Sequence, residues 1–396
     1  MRYASIARRL DGLGFDKWAV HMEGRVRALK GQELIFLSIG EPDLPPPAAV
    51  LDTAVESIRA GRTKYADGQG EPGARRAVAA HLTRRSGHEV SHDQIVYVAG
   101  TQQGLFVTMA TLVEQGDEVL VPDPYYATYE GVVASTGATF VPVPTLPEDD
   151  FHLRAEALEA CVTERSRVLL LNTPSNPTGA VLSQDEIDAI GEVCERHDLW
   201  IVCDEVYADL TFETRFSSPF DRPHLRHRSI SIASISKSHA LPGFRAGWIA
   251  AEASVTANIT SVTEAMNFGS QPFLADALQV ALDQQHPEVA DLKRTFHQRA
   301  RAMVQAMSGS DAVSVRMPEG GMFVMVDVRR TGLSGEQFAW RLLDEQNVVV
   351  MPGESFGPGG AGHIRLALTV DAEVMAEASR RIRSVSYTHL TLPTIL

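Results

Sequence analysis

Ser234-Ile-Ser-Lys-Ser-His-Ala-Leu-Pro-Gly-Phe-Arg-Ala-Gly247 sets a lone lysine, Lys237, among small residues, with Arg245 eight positions further on. The preceding Ser229-Ile-Ser-Ile-Ala233 reads as a β-strand that runs into this loop. A lysine at a strand end that sheds its proton can form a Schiff base with a carbonyl. Ser234, Ser236 and Arg245 are donors of the kind that hold a phosphate, the arginine as a planar fork. A lysine in a serine-rich loop is more often simply solvated, so the rest of the chain has to supply the company that chemistry needs.

Working outward, the bounds come first. The chain has 396 residues, 44% hydrophobic and 22% charged, which is ordinary globular composition with room for two or three domains. Its formal net charge of −14 argues against a nucleic-acid partner and otherwise means solubility. Cys161, Cys194 and Cys203 are far apart and sit in apolar patterns, as reduced core thiols do. No CxxC occurs, and His224 and His227 lie in a basic loop, so no metal site is expected. Arg2, Arg8 and Arg9 are not followed by an apolar segment, and no run approaches the ~18–20 residues of a membrane helix. A cytoplasmic protein without a membrane partner is expected.

The lysine strand is one of a series. Ile95-Val-Tyr-Val98, Glu118-Val-Leu-Val121, Val168-Leu-Leu-Leu171, Trp200-Ile-Val-Cys203 and Ser229-Ile-Ser-Ile-Ala233 are continuous apolar runs, as in strands buried on both faces of a mainly parallel sheet. Helical patterns alternate with them. Ser183-Gln-Asp-Glu186 is a capping box before Ile187, Ile190 and Cys194, and Gly100-Thr101 opens a helix that Gly116 is expected to end. This alternation predicts an α/β large domain over 46–285. The proline-rich Glu41–Pro47 connects it to an N-terminal segment, 1–45. Met322–Asp327 and Val348–Met351 read as strands around a helix near Glu336–Glu345, giving a smaller α+β domain over 286–384 that the N-terminal segment completes. Val385–Leu396 lacks helical periodicity, and its opening matches a translated frame of a sequencing adapter, so 385–396 is expected to be a non-native tail.

The strand ends carry the polar residues. Asn172-Thr-Pro-Ser-Asn-Pro-Thr-Gly179 follows one strand and has the composition of a turn. Asp204-Glu-Val-Tyr207 follows the next, where an acid is commonly a helix cap. Two strand ends separated by one helix meet above one sheet edge, where open α/β sheets bind ligands. Gly100, Thr101 and Gln102 stand where a strand turns into a helix, and the free N–H groups of such a start form an anion site. Pro124-Tyr-Tyr-Ala-Thr-Tyr129 is an aromatic turn, and His363-Ile-Arg-Leu-Ala-Leu368 places Arg365 on an apolar strand where it needs a partner.

Taken in order, these segments resemble the pyridoxal-phosphate (PLP) aminotransferases of fold type I, class I/II. Ser234, Ile235, Ser236, Lys237, Ala240, Leu241, Gly243, Arg245 and Gly247 all comply with that family's lysine signature. The resemblance runs over about 1–384 and implies a fold type I enzyme with a seven-stranded sheet, PLP as cofactor, amino acid and 2-oxo acid substrates, and a homodimer. It further implies that Lys237 carries PLP and moves the substrate proton, that Asp204 pairs with the pyridine nitrogen, and that Asn176 and Tyr207 bond the 3′-oxygen. Tyr126 would stack on the ring, and Gly100, Thr101, Gln102, Ser234, Ser236 and Arg245 would hold the phosphate. Tyr65 would reach the phosphate of the partner subunit, while Gly40, Asn176 and Arg365 would bind the substrate carboxylate.

Two other patterns fail in context. Gly68-Gln-Gly-Glu-Pro-Gly73 spells a dinucleotide fingerprint, but Arg62-Thr-Lys-Tyr65 before it is no apolar strand. Gly353-Glu-Ser-Phe-Gly357 spells a nucleophile elbow, but Pro358-Gly-Gly-Ala-Gly362 cannot continue as the helix it needs. Within the family, Trp18-Ala-Val-His21, Ser236-Lys-Ser-His-Ala240 and Gly320–Arg329 look most like the arginine–pyruvate transaminases. A guanidinium would want a carboxylate, for which Asp16 and Glu23 are the candidates, with solvated surface acids as the plainer explanation. An aspartate or broad-specificity aminotransferase and a PLP-dependent C–S lyase remain alternatives. A PLP-binding regulator is disfavoured because the small domain starts at once.

Overall fold

The computed structural model describes residues 2–13 and 16–391. Seven strands form the large sheet: β1 (Ile95–Val98), β2 (Glu118–Asp123), β3 (Thr139–Pro144), β4 (Ser166–Asn172), β5 (Trp200–Asp204), β6 (Ser229–Ser234) and β7 (Gly247–Ala250). Their order is β1-β7-β6-β5-β4-β2-β3, parallel except for β7, which runs against both neighbours. A parallel return requires a crossover of a dozen or more residues, usually a helix. The loop from Ser234 to Gly247 holds only single turns of helix, Ile235–Ser238 and Pro242–Phe244, so β7 doubles back antiparallel. That turn puts Lys237 and Arg245 over the same sheet end.

The five apolar runs all fall within strands. Two strands escaped them. β3 carries Pro142 and Pro144 and lies at the sheet edge, where a missing N–H is tolerated. β7 follows the lysine loop with no helix to announce it. The helix Thr101–Leu112 ends before the expected stop: Val113 is already extended, and Gly116, at φ 105°, serves the turn into β2 instead. The capping box at Ser183 is present, with Gln184–Arg196 behind it burying Ile187, Ile190 and Cys194.

Four antiparallel strands make the smaller sheet, in the order Met351–Pro352, His363–Ala367, Phe323–Asp327, Ser314–Val315. The expected strand over 348–351 is split, its first half pairing in parallel with Ile35–Phe36. The long helix Pro287–Met307 buries Leu292, Phe296 and Met303 in a core shared with Val20, Leu37, Phe338 and Leu366. Inside it, Arg299 forms a two-pronged ion pair with Asp43 of the proline-rich connector at 2.7 and 2.8 Å. The opening helix Ser5–Arg9 lies on the large-sheet side, where Arg9 donates to the carbonyls of Ala134 and Ser135. The last helix, Ala372–Thr391, carries its backbone past residue 384, and 392–396 lie outside the described residues. No helix among the described residues is long and apolar enough to cross a membrane.

Candidate functional site

The carboxyl ends of β4, β5 and β6 are adjacent, with Asn172 paired to Asp204 in register. Above them, against the smaller sheet, lies a cavity of about 300 Å³. Gly40, Thr101, Gln102, Tyr126, Asn176, Asp204, Tyr207, Ser236, Lys237, Arg245 and Arg365 all line it. The chain thus gathers residues 40 to 365 into one site.

Lys237 Nζ donates to the Gly40 carbonyl at 2.7 Å. Burial pulls its amine down from the ordinary 10.5 to about 8, with Glu41 working the other way. A fraction of the amine is therefore neutral near physiological pH. Gly40 is obligatory in this packing, because a Cβ there would fall 2.3 Å from the Phe323 ring.

Asp204 ends β5 fully inside the protein. Its Oδ2 accepts from the Tyr129 hydroxyl at 2.8 Å and its Oδ1 from the Val206 amide at 3.2 Å. Burial pushes the carboxyl up to about 6, and the Tyr129 bond opposes that rise. A buried carboxylate with no basic side chain bonded to it among the described residues is costly and calls for a cationic or protonated partner. Asn172 ties the two strand ends together, donating to the Asp204 carbonyl at 2.9 Å and accepting from the Asn176 amide at 2.7 Å.

Arg365 is the largest wholly buried side chain, 1% exposed. It lies between the faces of Phe323 and Phe356, at 4.1 and 4.4 Å from the ring centres. It donates to Asn176 Oδ1 at 2.9 Å and to the Ser38 carbonyl at 2.5 Å, while its Nε has no partner among the described residues. No carboxylate among the described residues pairs with it, and burial pulls it down to about 10, still a cation at neutral pH. The Asn176 amide, held by this arginine, lines the cavity together with Tyr207.

At the other end, Gly100 has φ 79° and precedes the helix Thr101–Leu112, whose start has no side-chain cap. Arg245 donates to the Ala99 carbonyl at 3.1 Å, and a Cβ on Gly100 would stand 2.5 Å from its guanidinium. Glycine lets the arginine lie against the helix start.

Three expected residues do not line the cavity. Gly100 lies beneath Arg245. Ser234 is buried under the lysine turn, where it caps Ile235–Ser238 and donates to Ser236 at 3.0 Å. Tyr65 is 86% exposed and meets Phe268 edge-on, with ring centres 5.3 Å apart. The two acids considered for a guanidinium are elsewhere too. Glu23 is taken by Arg27 one helical turn on, at 2.8 Å, and Asp16 lines a separate crevice beside Glu336 and Glu354. Tyr129, Asn172, Phe323 and Trp18 belong to the site without having been singled out. Tyr129 opens the helix Tyr129–Thr136 three residues after Tyr126, and the two rings meet edge-on with centres 5.6 Å apart.

Comparison with known proteins gives the chain's family. The family described as aminotransferase class I and II matches residues 32–382. The arginine–pyruvate transaminase AruH of Pseudomonas aeruginosa is 41% identical over 382 residues, 96% of this chain and 97% of that protein. An aspartate aminotransferase of Musicola paradisiaca is 30% identical over 378 residues, 94% of each. Among solved structures, the aspartate aminotransferase of Thermus thermophilus with maleate superposes with a TM-score of 0.90 at 28% identity, covering 97% of this chain and 100% of that one. With a family match over most of its length and a relative 41% identical across nearly all of it, the chain belongs to the class I and II aminotransferases.

Proposed function

We propose that this aminotransferase takes arginine or another basic L-amino acid as donor and pyruvate or a similar 2-oxo acid as acceptor. Arg365 carries the general part: a buried cation beside the reactive lysine, with an N–H unpartnered among the described residues, suits an α-carboxylate. The choice of donor rests on the 41% identity to an arginine–pyruvate transaminase.

Members of this family use pyridoxal phosphate, and the residues present fit it. The uncapped helix start at Thr101 and Gln102, with Arg245 against it, suits a phosphate. The buried Asp204 suits a protonated ring nitrogen, Tyr126 a ring face, and Asn176 with Tyr207 a phenolic oxygen. Bound there, the cofactor supplies an electron-withdrawing ring and holds the amino group between the two half-reactions.

The chain's own groups do the rest. Arg365 and the Gly40 backbone grip the substrate carboxylate and fix the direction of its Cα–H bond. Lys237, its basicity lowered by burial, takes the proton from Cα and returns it as general acid. Asn176 is oriented by its bond from Arg365, so carboxylate binding and cofactor contact are coupled through one side chain. Phe323 and Trp18 keep the reacting atoms away from water.

A homodimer is part of this proposal. Leu51, Val55 and Ile58 form an exposed apolar stripe on the helix Ala48–Arg59, and Met266, Phe268 and Tyr65 are exposed as well. A second copy covering them would bring Tyr65 toward the neighbouring site. The free cysteines fit a reducing cytoplasm.

Single half-reactions test the proposal. The visible band of cofactor-loaded protein should be bleached rapidly by arginine and restored by pyruvate. Bleaching by aspartate but not by arginine would give the donor site to the second candidate, favoured by the aspartate aminotransferase relatives. Pyruvate and ammonia released without an acceptor would mean elimination.

A further inference from the structure

We infer that His152 is a positioning residue: held between Glu186 and Glu319, it locks the turn at Gly320 against the loop that carries Asn176. This rests on the amino-transfer proposal above and adds to it a residue outside the cavity.

The imidazole reaches two carboxylates at once. His152 Nδ1 is 2.8 Å from Glu186 Oε1, and Nε2 is 2.9 Å from Glu319 Oε2. A neutral imidazole has one N–H and cannot donate to both, whereas the imidazolium can. The geometry therefore requires the charged form. The two acids belong to different parts of the molecule. Glu186 closes the capping box of Gln184–Arg196 on the large domain, and Glu319 leads into the strand Phe323–Asp327 of the small sheet.

Glu319 is the hub of the junction. Its own amide and that of Gly320 both donate to the Gly179 carbonyl at 3.0 Å, and its Oε2 accepts from the Val181 amide at 2.7 Å. The crossing is close-packed. A Cβ on Gly320 would come within 3.1 Å of Leu210, Pro174 and Val181, and one on Gly179 within 2.5 Å of Pro318. Just beyond Gly320 stands Phe323, stacked on Arg365, and just before Gly179 stands Asn176, bonded to Arg365. The seam thus sets how the guanidinium meets the amide. On its outer side lies a cleft of about 590 Å³, so there the ion pair and these backbone bonds hold the seam without packed protein behind them.

The charged surroundings agree. Arg154 lies 3.6 Å from Glu186 and is shared with Asp149, while Asp150 is occupied by Arg316 and Glu148 by Arg329. The bond to Glu319 is the main cause that raises the His152 imidazole to about 9, with Glu186 adding to it against burial. A raised value means that the clamp contributes fully below the ordinary 6.5 and is lost as pH rises through about 9.

The test is steady-state kinetics of the cofactor-loaded enzyme from pH 6 to 10, for the wild type, His152→Gln, His152→Lys and Glu319→Gln. A misplacement of about 1 Å at a reacting centre can cost up to about 10²-fold, and a loosened seam should cost roughly 10-fold. In the wild type, KM for donor and acceptor should rise by about that factor above pH 9, with kcat nearly unchanged. His152→Gln should show the raised KM at every pH without that inflection, and His152→Lys should restore the low KM and carry it to higher pH. Glu319→Gln keeps an acceptor for Val181 but loses the charge, and should behave as His152→Gln does, which decides the matter if the first variant does not fold. Titration of Lys237 would appear in all four proteins alike. Wild-type KM values and an unchanged pH profile in the variants would overturn the inference. A wild-type cofactor band that no amino acid bleaches would instead sink the amino-transfer proposal itself.

Discussion

Arg365 carries a cost that the substrate carboxylate proposed for it would relieve. A cation with no ion-pair partner among the described residues, 1% exposed, costs stability in the free protein, and two aromatic faces and two hydrogen bonds offset part of that cost. Arg365→Lys keeps the charge but loses the planar fork and the stack between the rings. Charge-assisted hydrogen bonds contribute about 1.5–3 kcal/mol each, so KM for both amino acid and 2-oxo acid should rise roughly 10- to 100-fold, measured in the two half-reactions. At this scale the sequence was legible where spacing carries meaning: Lys237 by its ordered company, Asp204 and Asn176 by their places after strands. It was silent on Phe356, which closes the far face of the Arg365 stack. That contact is made by the fold between segments with no local mark, so no spacing could announce it.

Elements decide how the cavity is made at the end proposed to hold the phosphate. The turn from β1 into Thr101–Leu112 passes through Gly100 at φ 79° and ψ 170°, a conformation almost confined to glycine. Gly100→Ala would carry that strain, about 1–3 kcal/mol, and push a methyl into Arg245. The expected outcome is a cofactor Kd raised about 10- to 100-fold, measured by equilibrium titration, with a far smaller change in the rate of the loaded enzyme. The buried parallel strands were readable because burial on both faces leaves continuous apolar runs. β3 and β7 were not, since an edge strand tolerates prolines and an antiparallel return needs no helix. The end of the helix at Leu112 was misplaced for a related reason: Gly116 suits either a helix stop or the next turn, and the turn took it.

The molecule as a whole joins a large α/β sheet to a smaller antiparallel one, with the cavity between them. If the proposed dimer covers the stripe on Ala48–Arg59, Leu51→Asp with Val55→Asp should halve the mass seen by light scattering. It should also weaken cofactor binding, because Tyr65 would no longer reach a neighbouring site. An unchanged mass would remove that stripe from the interface. Alternation along the chain implies the large α/β sheet, and the change of pattern after about 290 implies the smaller α+β part. The way residues 1 to 45 divide between the sheets, with Arg9 on one side and Leu37 on the other, came only from the folded chain.

Phe323 has one more consequence. Its ring fills the space that a Cβ on Gly40 would need, stacks on Arg365 and meets Tyr207 edge-on, with ring centres 6.0 Å apart. Such positions are not independent, since residues sharing a contact couple by about 0.5–3 kcal/mol. A lineage that drifts one substitution at a time is therefore barred from changing Gly40 while Phe323 stays. The route to a differently shaped pocket around Arg365 runs through the ring first and the glycine second.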